Sequence, residues 1–320
     1  MLESMFYLAH ISDLHLSPLP QPSLYELCGK RFTGYLNWQK NRKSQLATNV
    51  LDILMKNLKR KKPDHLVISG DLVNLALDKE FEQAHNWLLN QGQPQNISLT
   101  FGNHDAYVRG AFQKACTLFQ PWITGDFPQK NNLSFPYMRI RKNVAIIGAS
   151  SAIATPPFQA SGYFSKRQAQ ALSQLLNEAA ARNLFRVVMI HHPPFHCATS
   201  WHKKLWGIKH FLDVVKHHGC ELILHGHTHL PTLNTIEGTV GKIPIVGVAS
   251  ASQALDEKKP PAGFNLFAIE QFDHQWHCQL QRYSLINQKN EIACTETLDL
   301  QHFETNPKIA KSTKNENPII

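Results

Sequence analysis

Cysteine is scarce in this chain and follows no pattern: Cys28, Cys116, Cys197, Cys220, Cys278 and Cys294 include no C-x-x-C pair. That argues against a disulfide framework or a thiolate metal site and for reduced thiols, as in the cytoplasm. No run of roughly 18 apolar residues occurs, and the opening "MLESMFYLAHISD" has no basic segment ahead of a long apolar one. Neither a signal peptide nor a membrane span is expected. Internal repeats and a Gly/Pro-rich linker are absent too, so one domain is expected over residues 1–302, followed by a polar, aperiodic and therefore disordered tail at 303–320.

What is present is a core-forming composition, 42% hydrophobic over 320 residues, with a net charge of +9. The charge is local. Residues 28–62 carry ten Lys or Arg against the single acid Asp52, and the remainder balances at twenty-three of each sign. Such an excess can draw in a phosphorylated substrate, an anionic membrane surface or nucleic acid, or can form a solvated helix face. No recognisable nucleic-acid module accompanies it.

Short apolar runs alternate with helical periodicity, which predicts α/β architecture. Strands are expected at 6–12, 65–69, 97–101, 144–150, 185–190 and 221–225. Ala47, Val50, Leu51, Leu54 and Leu58 form a helical stripe behind an N-cap at Ser44. Ser165 and Gln168 suggest a capping box ahead of a second stripe, Leu172, Leu175, Leu176 and Ala179, and Ile208, Phe211, Leu212 and Val215 form a third, ending at Gly219. Beyond 240, "KIPIVGV", "GFNLFAIE" and "QWHCQLQRY" read as strands of a second sheet or a sheet edge packed on the first.

Metal-binding side chains follow the predicted strands. "HISDLHL" supplies Asp13 and His15, "VISGDLVN" Asp71, "LTFGNHDAY" Asn103, His104 and Asp105, "VMIHHPPFH" His191 and His192, and "LILHGHTHL" His225, His227 and His229. Loops at the carboxyl ends of strands converge, so distant residues can share one site there. Carboxylates, an amide oxygen and neutral imidazoles suit Mn²⁺, Fe²⁺ or Zn²⁺. Glycines before Asp71, Asn103 and His227 allow close backbone approach. Taken singly, each residue has a duller use as a helix cap or turn residue. The ordered series does not.

In the order D-x-H, GD, GNHD, H and GHTH, these motifs resemble the calcineurin-like metallophosphoesterase superfamily over Asp13 to His229. The resemblance implies a four-layer α-β-β-α sandwich, two packed sheets flanked by helices, with a dinuclear metal site at the strand C-terminal ends. By motif position, Asp13, His15 and His229 hold one divalent ion, Asn103, His191 and His227 the other, and Asp71 bridges them. His104 faces the substrate phosphate as the catalytic group. Asp105, His192 and His225 stand behind the ligands, and His191 is favoured over His192 by motif position alone. Two such ions lower the pKa of a water between them and stabilise both ends of an in-line displacement.

"GDLVNLA" departs from the GDxxDRG of the phosphoprotein phosphatases, with Asn74 in place of the second Asp. The motif forms look more like bacterial phosphodiesterases related to class III cyclic-nucleotide phosphodiesterases. The expected substrate is a phosphodiester or similar small phosphorylated compound. "LCGKRFTGYLNWQKNRK", residues 27–43, pairs aromatic with basic side chains as an interfacial lid would. That fits the superfamily members that cleave UDP-diacylglucosamine. The favoured reading is plainer, with aromatic rings packed and charges in water. "SWHKKLWG", 200–207, is expected to form a further wall of the same pocket. A non-catalytic binding module of this fold ranks last, because every ligand position is retained.

Overall fold

The structure, a computed structural model, describes residues 5–42, 48–127, 134–238, 241–256, 259–273 and 275–300. The expected cap at Ser44, the start of its stripe at Ala47, the end of the basic and aromatic segment at Lys43 and the tail at 303–320 lie outside the described residues.

Three parallel strands start the first sheet: β1 (Phe6–Ile11), β2 (His65–Ile68) and β3 (Ile97–Leu99). The second sheet is founded on β4 (Tyr137–Arg141), β5 (Val144–Gly148), β7 (Phe185–Met189), β9 (Leu222–His225), β10 (Leu233–Gly238) and β11 (Gly241–Gly247). A small parallel pair, β6 (Gly162–Tyr163) and β8 (Leu205–Trp206), lies in the connections around it. The strands β12 (Gly263–Phe272), β13 (Gln275–Leu285) and β14 (Ile292–Asp299) extend the first sheet beside β1. The orders are β14-β13-β12-β1-β2-β3 and β10-β11-β9-β7-β5-β4.

Period-2 alternation explains the layering. Along β5, Val144 and Ile146 enter the core shared with the first sheet, whereas Ala145 and Ile147 face the other way. A strand apolar on both faces must be covered on both. On the outside of the second sheet, α6 (Lys166–Ala181) and α7 (Ile208–His218) contribute Leu172, Leu176, Phe211 and Val215. On the first, α2 (Thr48–Arg60) and α3 (Asp78–Leu89) bury Leu54, Leu58, Phe81 and Leu88. Each such side chain contributes about 1.5–3 kcal/mol by leaving water. The result is the expected α-β-β-α sandwich. Smaller helices, α1 (Lys30–Asn37), α4 (Ala111–Leu118) and α5 (Gln120–Ile123), occupy connections.

One expectation resolves and another changes. The strands beyond 240 divide between the two alternatives: β11 joins the second sheet in parallel with β9, whereas β12 pairs antiparallel with β1 and, with β13 and β14, forms the edge of the first sheet. At α6 the Ser165 hydroxyl accepts from the Gln168 N–H (3.1 Å), but no capping box closes. Gln168 instead bonds both backbone groups of Ser150 (2.7 and 2.8 Å), pinning the loop after β5. Strands β4, β10 and β14 were not anticipated. All three are sheet edges, where polar residues are tolerated and alternation weakens.

The parallel strands of both sheets end on one side. There a bridge between Ser12 and Ser250 ties the loop after β1 to that after β11.

Candidate metal centre

The loops after β1 and β2 are zipped together by their backbones. Asp13 N–H donates to Gly70 O (2.9 Å), His15 N–H to Asp71 O (3.0 Å) and Leu16 N–H to Leu72 O (2.9 Å). Five of the expected ligands occupy the left-handed region: Asp13 (φ 53°), His15 (43°), Asp71 (56°), His227 (68°) and His229 (58°). Non-glycine residues held there cost roughly 1–3 kcal/mol each and persist only where surrounding bonds over-determine them, typically at functional sites. A side chain on Gly226 would collide with the Ser12 hydroxyl and the Asp13 carboxylate, so glycine alone allows the last loop to close on the first.

Side chains from five loops then meet. Three sets, Asp13 with His15 and His229, His15 with Asp71 and His104, and Asp13 with Asp71 and His191, each bring their ligand atoms within 4.8 Å of one another. His229 Nε2 is 3.1 Å from Asp13 Oδ1, and His191 Nε2 is 3.3 Å from Asp71 Oδ2. His227 stands outside those sets of carboxylates and imidazoles, and Asn103 offers an amide oxygen. Asn103 lies between Gly102, which packs against the Asp71 carboxylate, and His104, whose N–H donates to Asp71 Oδ1 (2.8 Å). The ring of His227 is 5.2 Å from that of His191, and its N–H donates to Asp13 Oδ2 (2.9 Å).

Backbone carbonyls set the imidazole tautomers. Nδ1–H of His15 donates to Val73 O (3.2 Å) and that of His191 to Ser69 O (2.8 Å), directing each Nε2 lone pair inward. In His227 the order is reversed: Nε2–H donates to Lys203 O (3.0 Å), which leaves Nδ1 as the acceptor. This outer bonding is what orients and strengthens a metal-binding imidazole. By contrast both nitrogens of His192 are used, by Ser151 Oγ (2.7 Å) and Ala160 O (3.0 Å). His225 bonds Gly226 O and Thr232 Oγ1.

A cation fits this arrangement. Asp13 Oδ1, Asn103 Oδ1 and His191 Nε2 are buried and make no hydrogen bond, a costly state for acceptors unless a positive charge lies among them. Burial opposes charge on Asp71, yet the imidazoles of His191, His104 and His15 outweigh it and hold the carboxyl well below its ordinary value. For His191, burial is overcome by the Asp71 and Asp13 carboxylates, which push it up to about 9. A carboxylate oxygen and an inward lone pair at such close range call for a proton or a metal ion between them. Burial lowers His192 to about 3 and His225 to about 4, and lowers His227 well below its usual value, so these rings are neutral.

Supporting groups were only partly foreseen. Asp105 accepts from the N–H groups of Asp71 (2.8 Å), Leu72 (2.9 Å) and Gly102 (2.9 Å), fastening the second loop to the third. The buried Glu80 was not anticipated; it accepts from the N–H groups of Asn74, Leu75 and Leu77 and so shapes the loop whose Asn74 carbonyl receives His104 Nδ1–H (2.5 Å). Tyr107, three residues beyond His104, stacks on it with centroids 5.5 Å apart. Only an aromatic residue close in sequence hinted at this.

The expectation that the charges of 27–43 merely face water is corrected at two positions. Arg31 donates to the carbonyls of Leu75 (3.0 Å) and Ala76 (2.5 Å). Lys30 Nζ donates to Thr155 Oγ1 (2.7 Å) and Gln159 O (2.9 Å) and lies over the Tyr107 ring. Both bind the loop after β2 or after β5, because short-range carbonyls outcompete water for a half-buried cation. Burial lowers Lys30 to about 8, against the pull of Asp71.

The family model for calcineurin-like phosphoesterases matches residues 6–231. A protein of Synechococcus sp. described as a probable cyclic nucleotide phosphodiesterase is 27% identical over 277 residues, covering 85% of this chain and 91% of that one. Among solved structures, a dimetal phosphatase from Danio rerio superposes with a TM-score of 0.58 at 12% identity, over 92% of this chain and 98% of the other. A purple acid phosphatase from yellow lupin gives 0.57 at 12% identity, over 92% of this chain and 53% of its own. At that identity the structural likeness concerns the fold.

Proposed function

Since this chain belongs to the calcineurin-like phosphoesterase family and is thereby a hydrolase of phosphoric esters, we propose that it cleaves a small phosphodiester, with a cyclic nucleotide as the leading candidate. The observation that carries the reading is the convergence of Asp13, Asp71, His15, His191 and His229 within ligand reach, with buried acceptors lacking any hydrogen bond. The family uses a dinuclear divalent site. In this chain Asp13, His15 and His229 would hold one ion and Asn103, His191 and His227 the other, with Asp71 as the carboxylate able to serve both. Mn²⁺, Fe²⁺ and Zn²⁺ all suit such an oxygen and nitrogen set. When bound, the ions supply positive charge to the phosphate and a water acidified enough to act as nucleophile.

The chain's own groups do the rest. His104, fixed through Nδ1 on the Asn74 carbonyl and backed by Tyr107, presents its ring beside His15 (centroids 4.8 Å). As the imidazolium, with Nδ1–H held by the Asn74 carbonyl, it donates Nε2–H to a phosphate oxygen and passes that proton to the leaving alkoxide, returning to the neutral ring. Asp105 keeps the loops bearing Asp71 and Asn103 in register. The relative named as a cyclic nucleotide phosphodiesterase supports this substrate over a phosphoprotein, as does Asn74 in place of a second carboxylate.

The test is metal analysis of the purified protein together with turnover of bis(p-nitrophenyl) phosphate under Mn²⁺, Fe²⁺ and Zn²⁺, followed by a panel of cyclic nucleotides, glycerophosphodiesters and UDP-diacylglucosamine. Two equivalents of metal and turnover abolished by a chelator are expected. Turnover that is indifferent to chelation sinks the two-metal reading. Preference for the lipid-linked nucleotide replaces the cyclic-nucleotide one.

A further inference from the structure

Exposed apolar side chains are not spread evenly over this molecule. Among the described residues fourteen large hydrophobic side chains are exposed, and nine of them sit in the four connections that leave β1, β5, β7 and β9 on the side of the metal centre. The most prominent are Leu24 (90% exposed), Tyr25 (88%), Phe158 (84%) and Trp201 (64%). Phe158 is held at φ 64°, a conformation a bulky residue adopts only under constraint. A packed protein gains nothing by holding these rings in water, and a contiguous patch of them marks a contact surface.

Hydrogen bonds make the four connections one rim. Lys30 joins the first to the second through Thr155 and Gln159. The N–H of Ala160 donates to His202 O (2.9 Å), joining the second to the third. His227 joins the fourth to the third through Lys203 O. The charge on this rim has one sign: within 17–40, 153–163, 193–207 and 226–232 the basic residues are Lys30, Arg31, Lys40, Lys203 and Lys204, and the only acid is Glu26. Lys204 Nζ lies 3.7 Å over the Trp206 ring, so cation and aromatic surface are presented together.

We propose that this rim is a docking face for an anionic lipid surface, seating the mouth of the metal centre against the bilayer. Aromatic and leucine tips enter the headgroup region while Lys40, Lys203 and Lys204 meet lipid phosphates, Lys30 and Arg31 being held inward by protein carbonyls. Among the described residues no helix is long and apolar enough to cross a membrane, so the contact is peripheral. An acidic protein face would meet the same charge, and the vesicle test below separates the two.

The test is sedimentation of the full chain with vesicles of phosphatidylcholine alone and of phosphatidylcholine mixed with phosphatidylglycerol, at low and high salt. Partition onto the mixed vesicles is expected to exceed that onto the neutral ones by about tenfold or more and to weaken with salt. The triple variant Leu24→Ser, Tyr25→Ser, Phe158→Ser should lose about tenfold in partition, while its turnover of soluble bis(p-nitrophenyl) phosphate stays at the wild-type level. Absence of partition at low salt overturns the proposal and leaves the rim to a protein partner. Equal partition of variant and wild type overturns it as well. Vesicle binding by a wild-type chain that turns over no phosphodiester sustains the docking face and refutes the substrate reading above.

Discussion

Two groups of buried histidines show how the same side chain is put to opposite uses. Within the sheet, His10 and His65 are shielded from water, and each gives Nε2 to a serine on the neighbouring strand, Ser69 Oγ and Ser98 Oγ, both at 2.8 Å. Burial lowers both, His10 to about 3, and they stay neutral and structural. Just beyond β7 of the other sheet, His191 is equally buried and is pushed up to about 9. The difference is not solvent exposure. It is that His191 faces two carboxylates, and a serine hydroxyl satisfies a neutral ring where a carboxylate demands a positive charge.

This contrast can be broken in four ways, in descending size. Asp71→Asn removes the charge that both halves of the centre share; turnover of bis(p-nitrophenyl) phosphate should become undetectable and bound metal should fall, as read by elemental analysis. Full metal occupancy in that variant would show that Asp71 is not a ligand. His104→Ala should leave metal content intact and lower kcat by roughly 10²–10⁴-fold, the usual contribution of a positioned acid or base. An unchanged kcat would remove His104 from the reaction.

Asp105→Asn acts one bond further out. Its carboxylate binds backbone rather than any ligand side chain, so metal affinity should weaken by about 10–100-fold with kcat at saturating metal little changed. Metal titration of activity reads this directly. The smallest effect belongs to the structural group. His10 titrates at about 3 in the folded chain and at about 6.5 when unfolded, so the unfolded state binds more protons in that window and stability falls as pH drops from roughly 6.5 toward 3. His10→Leu should flatten that slope and cost about 1 kcal/mol at neutral pH through the lost serine bond. Urea midpoints across pH check it, with kcat per folded molecule unaltered.

Much of the molecule was legible along the chain. Both-face apolar strands and the three helical stripes announced themselves because burial writes periodicity into sequence, and the ordered motifs marked the strand ends. Edge strands β4, β10 and β14 escaped because they alternate weakly. Glu80 escaped for a different reason: a carboxylate in the first turn of a helix looks like an ordinary capping residue, and nothing in its spacing says that it folds back onto the loop carrying Asn74.

The residues able to bind metal, their order and the glycines that let them approach are all written in the chain, since chemistry and local backbone freedom belong to single residues and their neighbours. Which nitrogen each imidazole turns inward is not. His191 and His192 are adjacent and identical in type, and they part only because the Ser69 carbonyl takes one ring while Ser151 and Ala160 occupy both nitrogens of the other. Lys30 and Arg31, read as solvated charges, turned inward for the same reason. Partners brought together from 32 to 129 residues away are chosen by the packing of two sheets, and no spacing along the chain encodes that choice.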